Sequence, residues 1–134
     1  MQNYCFNTDS FRDTRDNVEE NPNEIEGYNL ATELKGALEV DHFICEEVFA
    51  EDFGWAFYAF RDEQKYFITA SVDPEDDQVD FGFFANINID KTRSFWDRLR
   101  GRNKMLDDDP AGQVVHRVLK SCDDVHNLEF YPAR

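Results

Sequence analysis

Two histidines and two cysteines have spacings that zinc sites use. They occur as His42-x-x-Cys45 and Cys122-x-x-x-His126, and imidazole nitrogen with thiolate sulfur is a common ligand set of structural Zn²⁺. Each pair lies at the edge of a predicted element, so the four side chains could converge. However, Cys45 falls in a predicted strand and Cys122 in the apolar stripe of a predicted helix, where a free cysteine usually acts as a small hydrophobic residue. We therefore expect no metal and no cofactor, and keep these four residues as the alternative.

A cysteine nucleophile is the other chemistry that the residue types permit. Cys45 could pair with His42 or with His116, as a thiol and a base do in covalent catalysis, but no local signature accompanies them. The sequence also lacks a GxSxG elbow, a phosphate-binding loop and a dinucleotide fingerprint. The 29 Asp and Glu residues are so abundant that a pair of carboxylates indicates nothing by itself. We expect no catalytic residues and no enzyme, and a carboxylate in a cleft stays open as an alternative.

The charge balance restricts the partners of the chain more than any motif does. Its 134 residues carry a formal net charge of −15, and 41% of them are hydrophobic, including 13 Phe, which is typical of a folded acidic domain. Such a surface repels nucleic acid and anionic lipid, and it attracts basic proteins. We expect a basic protein partner or self-association, with no nucleic acid and no membrane. Three unpatterned cysteines and the lack of an apolar leader favour the cytoplasm.

One segment has the opposite charge. Residues 91–104 contain six cations and one Asp, for a net charge of +5, while the rest of the chain sums to −20. The predicted basic patch consists of Arg93, Arg98, Arg100, Arg102 and Lys104. We interpret it as internal charge balance against acidic neighbours such as Asp107-Asp108-Asp109. Recognition of an acidic partner and binding of nucleic acid are the alternatives.

The same segment is predicted to contain a short helix over residues 94–100. Ser94 is typical of an N-cap, and Phe95 and Leu99 are neighbours at helical spacing. We expect Phe95, Trp96 and Leu99 to anchor this helix on the protein. Because bases need free aromatic rings to stack on, that anchoring argues against nucleic-acid binding.

The spacing of apolar residues predicts two main helices and several strands. Leu30, Leu34 and Leu38 repeat at helical spacing within residues 29–39, and Asp109-Pro110 is typical of the start of a second helix. Strands are predicted at residues 43–50, 54–62, 65–73, 78–89 and 127–131. The predicted fold is α+β: an antiparallel four- to five-stranded sheet with two main helices packed on one face, in the order α-β-β-β-β-α-β.

The domain organisation is predicted to be simple. Residues 1–26 are polar, acidic and without period, which indicates an irregular acidic N-terminal arm. Residues 27–134 contain all the predicted elements and form a single α+β domain.

One face of the sheet is predicted to carry exposed aromatic residues. A tight turn at Glu63-Gln64 would place Asp62 opposite Lys65, and alternate residues along each strand then share a face. The predicted partner or ligand surface on the wet face consists of Tyr58, Phe60, Phe67 and Phe84. Clusters of this kind often mark interfaces.

Two alternatives explain the same aromatic residues without a foreign partner. The N-terminal arm could cover them through Tyr4, Phe6 and Phe11. The face could also be the surface of a homodimer.

Two stretches, EDFGWAFYAFRDEQKYFITASV and RSFWDRLRGRNK, followed by a helix and a strand, resemble an uncharacterised family of small bacterial α+β proteins. In that family an amphipathic helix precedes an acidic-Trp-Gly-Trp turn into a strand hairpin, and a short basic segment ending in Gly-Lys or Gly-Arg comes later. The resemblance covers residues 30–131, with Phe53 in place of the first Trp. It implies the same fold and carries no function to any residue.

The function expected from these observations is a non-enzymatic acidic protein-interaction module. A specific version is an inhibitor or immunity protein that neutralises a basic toxin, since opposite charge accelerates encounter. The alternative is a small-ligand-binding domain or modest enzyme with the aromatic sheet face as the floor of a pocket. Mimicry of DNA by regularly spaced acids is a third hypothesis.

Overall fold

The computed structural model describes residues 1–74 and 82–132. The strands are β1 (Gln2–Thr8), β2 (Ile44–Cys45), β3 (Phe49–Glu51), β4 (Gly54–Arg61), β5 (Gln64–Pro74), β6 (Phe83–Lys91) and β7 (His126–Tyr131). The helices are α1 (Arg15–Glu20), α2 (Tyr28–Val40), α3 (Phe95–Arg100) and α4 (Pro110–Ser121). The α+β class is therefore confirmed.

The strands of the described chain form one antiparallel sheet in the order β2-β4-β5-β6-β1-β7, with β3 beside β4. The predicted strand count and element order were wrong in two places. The apolar run at residues 43–50 is broken into β2 and β3, which pair with opposite ends of β4. An additional strand, β1, lies where an irregular arm was expected. Residues 78–81 of the fourth predicted strand lie outside the described residues, and β6 begins at Phe83.

The strand β1 corrects the expectation that residues 1–26 are irregular. It lies between β6 and β7, with Tyr4 opposite Ile87 and Phe6 opposite Ala85. Both aromatic side chains are buried, so they pack in the core and do not cover the aromatic face. The inward-facing Gln2, Tyr4, Phe6 and Thr8 alternate with Asn3, Cys5 and Asn7, which is the two-residue period of a strand.

The turn between β4 and β5 lies one residue earlier than predicted. Asp62 and Glu63 are its two central residues, with φ of 53° and 68°, the left-handed pair that closes a tight hairpin. Lys65 therefore lies opposite Phe60 and not opposite Asp62. Because this changes the pairing by two residues, every side chain stays on its predicted face.

The core lies between the sheet and the helices α2 and α4. Strands β4 and β5 contribute the predicted inner side chains, Trp55, Phe57, Tyr66, Ile68, Ala70 and Val72, and all are buried. Strand β6 adds Ala85, Ile87 and Ile89, as its alternation predicts. The helices cover them with Leu30, Leu34 and Leu38 from α2 and with Val114, Val115 and Leu119 from α4.

An aspartate lies at the start of each of the two main helices. Asp109 is the N-cap residue of α4 and Pro110 its first residue, as predicted. Helix α2 begins one residue earlier than expected, at Tyr28, and Asp13 accepts hydrogen bonds from the backbone amides of Gly27, Tyr28 and Asn29. Among the described helices, none combines the length and hydrophobicity that crossing a bilayer would take.

Candidate functional site

The side of the sheet opposite α2 and α4 carries a cluster of three aromatic rings. The rings of Tyr58 and Phe67, on neighbouring strands, have centroids 5.0 Å apart, and the ring of Phe49 lies 6.1 Å from Tyr58 and 6.4 Å from Phe67. All three are half-buried. We call this side of the sheet, as defined by Phe49, Tyr58, Phe60, Phe67 and Phe84, the aromatic face.

The structure brings together part of the predicted surface. Phe60 lies on the same face, two residues from Tyr58 and opposite Lys65. Phe84 lies on this face as well and is 37% exposed, but it pairs with Asp73, six residues along β5 from Phe67. At about 3.3 Å per residue, Phe84 is roughly 20 Å from the ring cluster. Phe49 was missed, although it belongs to an aromatic run that had been recognised as a strand.

A groove of about 350 Å³ lies beside the ring cluster. Phe67 and Phe53 form its aromatic walls, and the rest of its lining is mainly polar: Met1, Thr69, Ser71, Asn86, Asn88 and Asp90, with Ala70. Phe53, in the turn between β3 and β4, is 50% exposed. The floor is held in place by Asn3, whose amide donates hydrogen bonds to the side chains of Asn86 and Asn88. Of the predicted surface residues, this groove uses only Phe67.

The aromatic face is acidic. Strand register places Glu51 with Phe49, Asp73 with Phe84, Asp90 with Phe67, and Glu129 with Cys5, all on this side of the sheet. Lys65 also lies on this face, where its ammonium is 4.4 Å from the Tyr58 ring centroid and 3.6 Å from a Glu46 carboxylate oxygen. The terminal ammonium of Met1 is a second cation here, 3.7 Å from an Asp90 carboxylate oxygen. The carboxylates still outnumber the cations among the described residues of this face.

The basic segment forms the predicted helix α3, but its anchoring was wrongly predicted. Ser94 Oγ accepts a 3.1 Å hydrogen bond from the Asp97 amide, and Gly101 ends the helix with φ of 67°. Phe95, Trp96 and Leu99 are 70%, 61% and 66% exposed. They do not pin the helix to the core. The chain is held instead on either side of α3, by the partly buried Lys91 and the buried Met105. Phe95 and Trp96 are therefore not committed to anchoring α3.

The cations of the basic patch also lack the expected partners. Among the described residues, no carboxylate lies within 4.0 Å of Arg93, Arg98, Arg100, Arg102 or Lys104. Arg93 donates to the carbonyl of Arg102, and Arg100 lies 5.8 Å from the Trp96 ring centroid. The short-range charge balance in this segment comes from Lys91, whose ammonium is 3.1 Å from Asp109.

The four candidate metal ligands are not brought together. Within residues 1–74 and 82–132, no three His, Cys, Asp or Glu side chains are placed to hold one ion. Cys45 Sγ lies 3.9 Å from the carbonyl of Lys35, against α2, whereas His126 begins the distant edge strand β7. Burial, with help from the Glu39 carboxylate, raises the pKa of Cys45 to about 11. The raised pKa keeps Cys45 in the thiol form at neutral pH, which is less nucleophilic than the thiolate.

A second polar cavity lies between β1 and α4. It measures about 250 Å³ and is lined by Tyr4, His116 and Phe130, among others. The Tyr4 hydroxyl lies 3.3 Å from His116 Nδ1, and burial with the nearby Asp107 charge raises the pKa of Tyr4 to about 12. The Tyr4 hydroxyl also lies 3.4 Å from the carbonyl oxygen of Gly112, so it connects β1 to α4.

No protein-family model, curated protein or solved structure matches this chain. The resemblance to a family of small bacterial proteins therefore stays an interpretation of the sequence pattern. Any functional assignment depends on the geometry of the aromatic face and of α3.

Proposed function

We propose that this chain is a non-enzymatic protein-interaction module that binds a basic partner through its aromatic face. The observation that carries the proposal is the cluster of Phe49, Tyr58 and Phe67, three half-buried rings on a sheet face rich in carboxylates. Aromatic residues are enriched in the water-excluded centres of protein interfaces, and Tyr and Trp are among the residues that most often carry the binding energy there.

The negative charge of the aromatic face favours a basic partner. Glu51, Asp73, Asp90 and Glu129 lie on it by strand register, and the whole chain has a net charge of −15. A basic protein is attracted at long range by the chain and at short range by these carboxylates. An inhibitor or immunity protein that blocks a basic target is the specific version of this function that small size and acidity favour.

The first test is capture from a lysate of the source cell, with the full chain immobilised. Phe67→Lys removes the central ring and repels cations, while Val40→Lys is the matched control because Val40 is 82% exposed on α2. We expect a basic protein to be retained by the wild type and by Val40→Lys at low salt, released at high salt, and lost with Phe67→Lys. Retention that Phe67→Lys leaves unchanged, or no retention at either salt, would contradict the proposal.

A second candidate function is supported by the groove beside Phe67. Its volume of about 350 Å³ is within the size range of small-molecule sites, and its mixture of aromatic walls and amide side chains is typical of them. In a thermal-shift screen of metabolites, a ligand of this groove would raise the Tm of the wild type and have no effect on Ser71→Phe, which fills the groove. A ligand that shifts both proteins equally would bind elsewhere.

A further inference from the structure

Helix α3 exposes three large apolar side chains on one side. At about 100° per residue, Phe95, Trp96 and Leu99 share one arc of the helix, and Arg98 and Arg100 flank it. Their exposed fractions of 61–70% are far above those of ordinary half-buried surface residues. Single exposed apolar residues need no explanation, but three adjacent ones on a helix of six residues indicate a docking surface.

The surface that docks on α3 must carry both acidic and apolar side chains. The arc offers two aromatic rings, and the basic patch around it has no carboxylate within 4.0 Å among the described residues. A partner that pairs with these cations and covers these rings gains binding free energy from burial of the rings and from opposite charge.

The aromatic face of this same chain has that chemistry. It presents the rings of Phe49, Tyr58 and Phe67 next to carboxylates such as Glu51 and Asp90. Within one copy the two surfaces do not meet, because Phe95, Trp96 and Leu99 stay exposed. Only a second copy can bring them together.

We propose that α3 of one copy docks on the aromatic face of a second copy, so that the chain associates head to tail. The proposal rests on the proposed function, since it names this chain's own basic segment as a ligand of the aromatic face. Two different surfaces meet in this contact, so a single contact leaves one α3 and one face free. If these bind further copies, rings or open chains form, and if they bind each other, a closed two-fold dimer forms.

The net charge sets the conditions under which the contact forms. Two copies of charge −15 repel each other at low ionic strength. At physiological ionic strength charges beyond about 8 Å are screened, so the local match between the +5 segment and the acidic face dominates. Association should therefore be weaker at low salt than at physiological salt, the opposite of capture of a basic protein.

A complementation experiment tests the contact directly. The weight-average mass of the full chain is measured by sedimentation equilibrium at physiological salt over a wide concentration range, for the wild type, Phe67→Lys, Trp96→Glu and an equimolar mixture of the two variants. The wild-type mass should rise above the monomer value of 15.8 kDa, and each variant alone should stay at that value. The mixture should reach twice that mass and stop, because Phe67→Lys supplies an intact α3, Trp96→Glu supplies an intact face, and only one contact is possible.

Several outcomes would overturn the proposal. A monomeric wild type at every concentration, a mixture that stays monomeric, or association that only one of the two variants abolishes would each exclude the head-to-tail contact. Trp96 fluorescence identifies a different occupant, since the other tryptophan, Trp55, is buried. A blue shift on adding single-stranded RNA or anionic vesicles, without self-association, would assign α3 to that ligand instead.

Failure of this proposal and failure of the proposed function give different results. Trp96→Glu keeps the aromatic face intact and leaves it free of other copies. If Trp96→Glu still captures a basic protein from the lysate while the wild type is monomeric, the proposed function stands and self-association is excluded. If the complementation succeeds but no lysate protein is captured, the ligand of the face is this chain alone.

Discussion

The Tyr66 hydroxyl donates a 2.8 Å hydrogen bond to the Asp109 carboxylate inside the protein. This bond connects the middle of the sheet to the first turn of α4. The same carboxylate also contacts the ammonium of Lys91 at 3.1 Å and accepts a hydrogen bond from the backbone amide of Leu106. Asp109 therefore fixes both ends of the segment that carries α3, which explains how a helix without buried residues keeps a defined position.

The first prediction concerns that hydrogen bond. Tyr66→Phe removes the hydroxyl donor and leaves a buried carboxylate with one partner fewer, so we expect the free energy of unfolding to fall by about 1–2 kcal/mol. Urea denaturation measures the change. Tyr131→Phe is the matched control, because Tyr131 donates a similar 2.7 Å bond to Glu129 at an exposed site, where the loss should stay below about 0.5 kcal/mol. Equal losses in the two variants would contradict this account.

The second prediction concerns two glycines with opposite requirements. Gly54 has φ of 145°, and a Cβ atom there would lie 2.5 Å from the carbonyl oxygen of Ala70, so Gly54→Ala should cost at least about 2 kcal/mol. Gly36 is in α2, with open space around the position of a Cβ. Gly36→Ala should therefore raise the free energy of unfolding by about 0.5–1 kcal/mol. The Tm should fall for Gly54→Ala and rise for Gly36→Ala. A lower Tm for Gly36→Ala would show that the space around Gly36 is not open.

The third prediction is a pH dependence that originates at Glu26. Burial acts to raise the pKa of Glu26, but hydrogen bonds from Arg12 and from the Asp13 amide outweigh it and hold the pKa below its ordinary value near 4.5. A carboxylate with a lowered pKa stabilises the fold above its unfolded-state pKa, and this contribution is lost as the pH falls through the folded-state pKa. Glu26→Gln should therefore cost about 1–2 kcal/mol at pH 7.

Denaturation of wild type and Glu26→Gln over a series of pH values tests the sign. The difference in the free energy of unfolding between the two proteins should be constant at neutral pH and should shrink below the ordinary glutamate pKa. A difference that grows on acidification would show that Glu26 is not stabilised as a carboxylate. Glu19→Gln is a control, since the Arg15–Glu19 pair is exposed and such pairs contribute little.

The fourth prediction tests the two faces of the sheet. Phe57 is fully buried, whereas Phe67 is half-buried on the aromatic face. Phe57→Ala should cost about 3–5 kcal/mol, because it leaves a cavity in the core, and Phe67→Ala should cost less than half of that. Guanidinium denaturation measures the two losses in the free energy of unfolding, which are comparable if the m-values are unchanged. A larger loss for Phe67→Ala would mean that the face is covered.

The alternation of residues allowed the faces of β4, β5 and β6 to be predicted from the sequence. Phe57 and Ile68 are buried and Tyr58 and Phe67 are not, as their positions indicate. The wrongly placed turn did not change the predicted faces, because the pairing moved by two residues. The turn itself was missed because Asp62 and Glu63, and not the usual Asn-Gly or Asp-Gly pair, adopt the left-handed conformation.

The exposure of α3 and the strand β1 could not be predicted in the same way. Phe95 and Leu99 have the spacing of a buried helix face, but whether a surface exists for them to pack on depends on where Lys91 and Met105 hold the chain. β1 contains several amides that resemble a loop, and its alternating Tyr4 and Phe6 were the signal that could have identified it. Its partners lie far along the sequence, which no local pattern shows.

The central position of β1 has a consequence for the order of folding. Asn3 binds Asn88 across a separation of 85 residues, and Asn7 binds Asn127 across 120. At a translation rate of roughly 5–20 residues per second, β1 leaves the ribosome on the order of ten seconds before its last neighbour. Tyr4 and Phe6 can pair with β6 once Phe83–Lys91 has been made, but the sheet is complete only after β7 is made, and contacts this distant along the chain make folding slow. A chaperone that shields exposed aromatic residues such as Tyr4 and Phe6 would act on this protein during that interval.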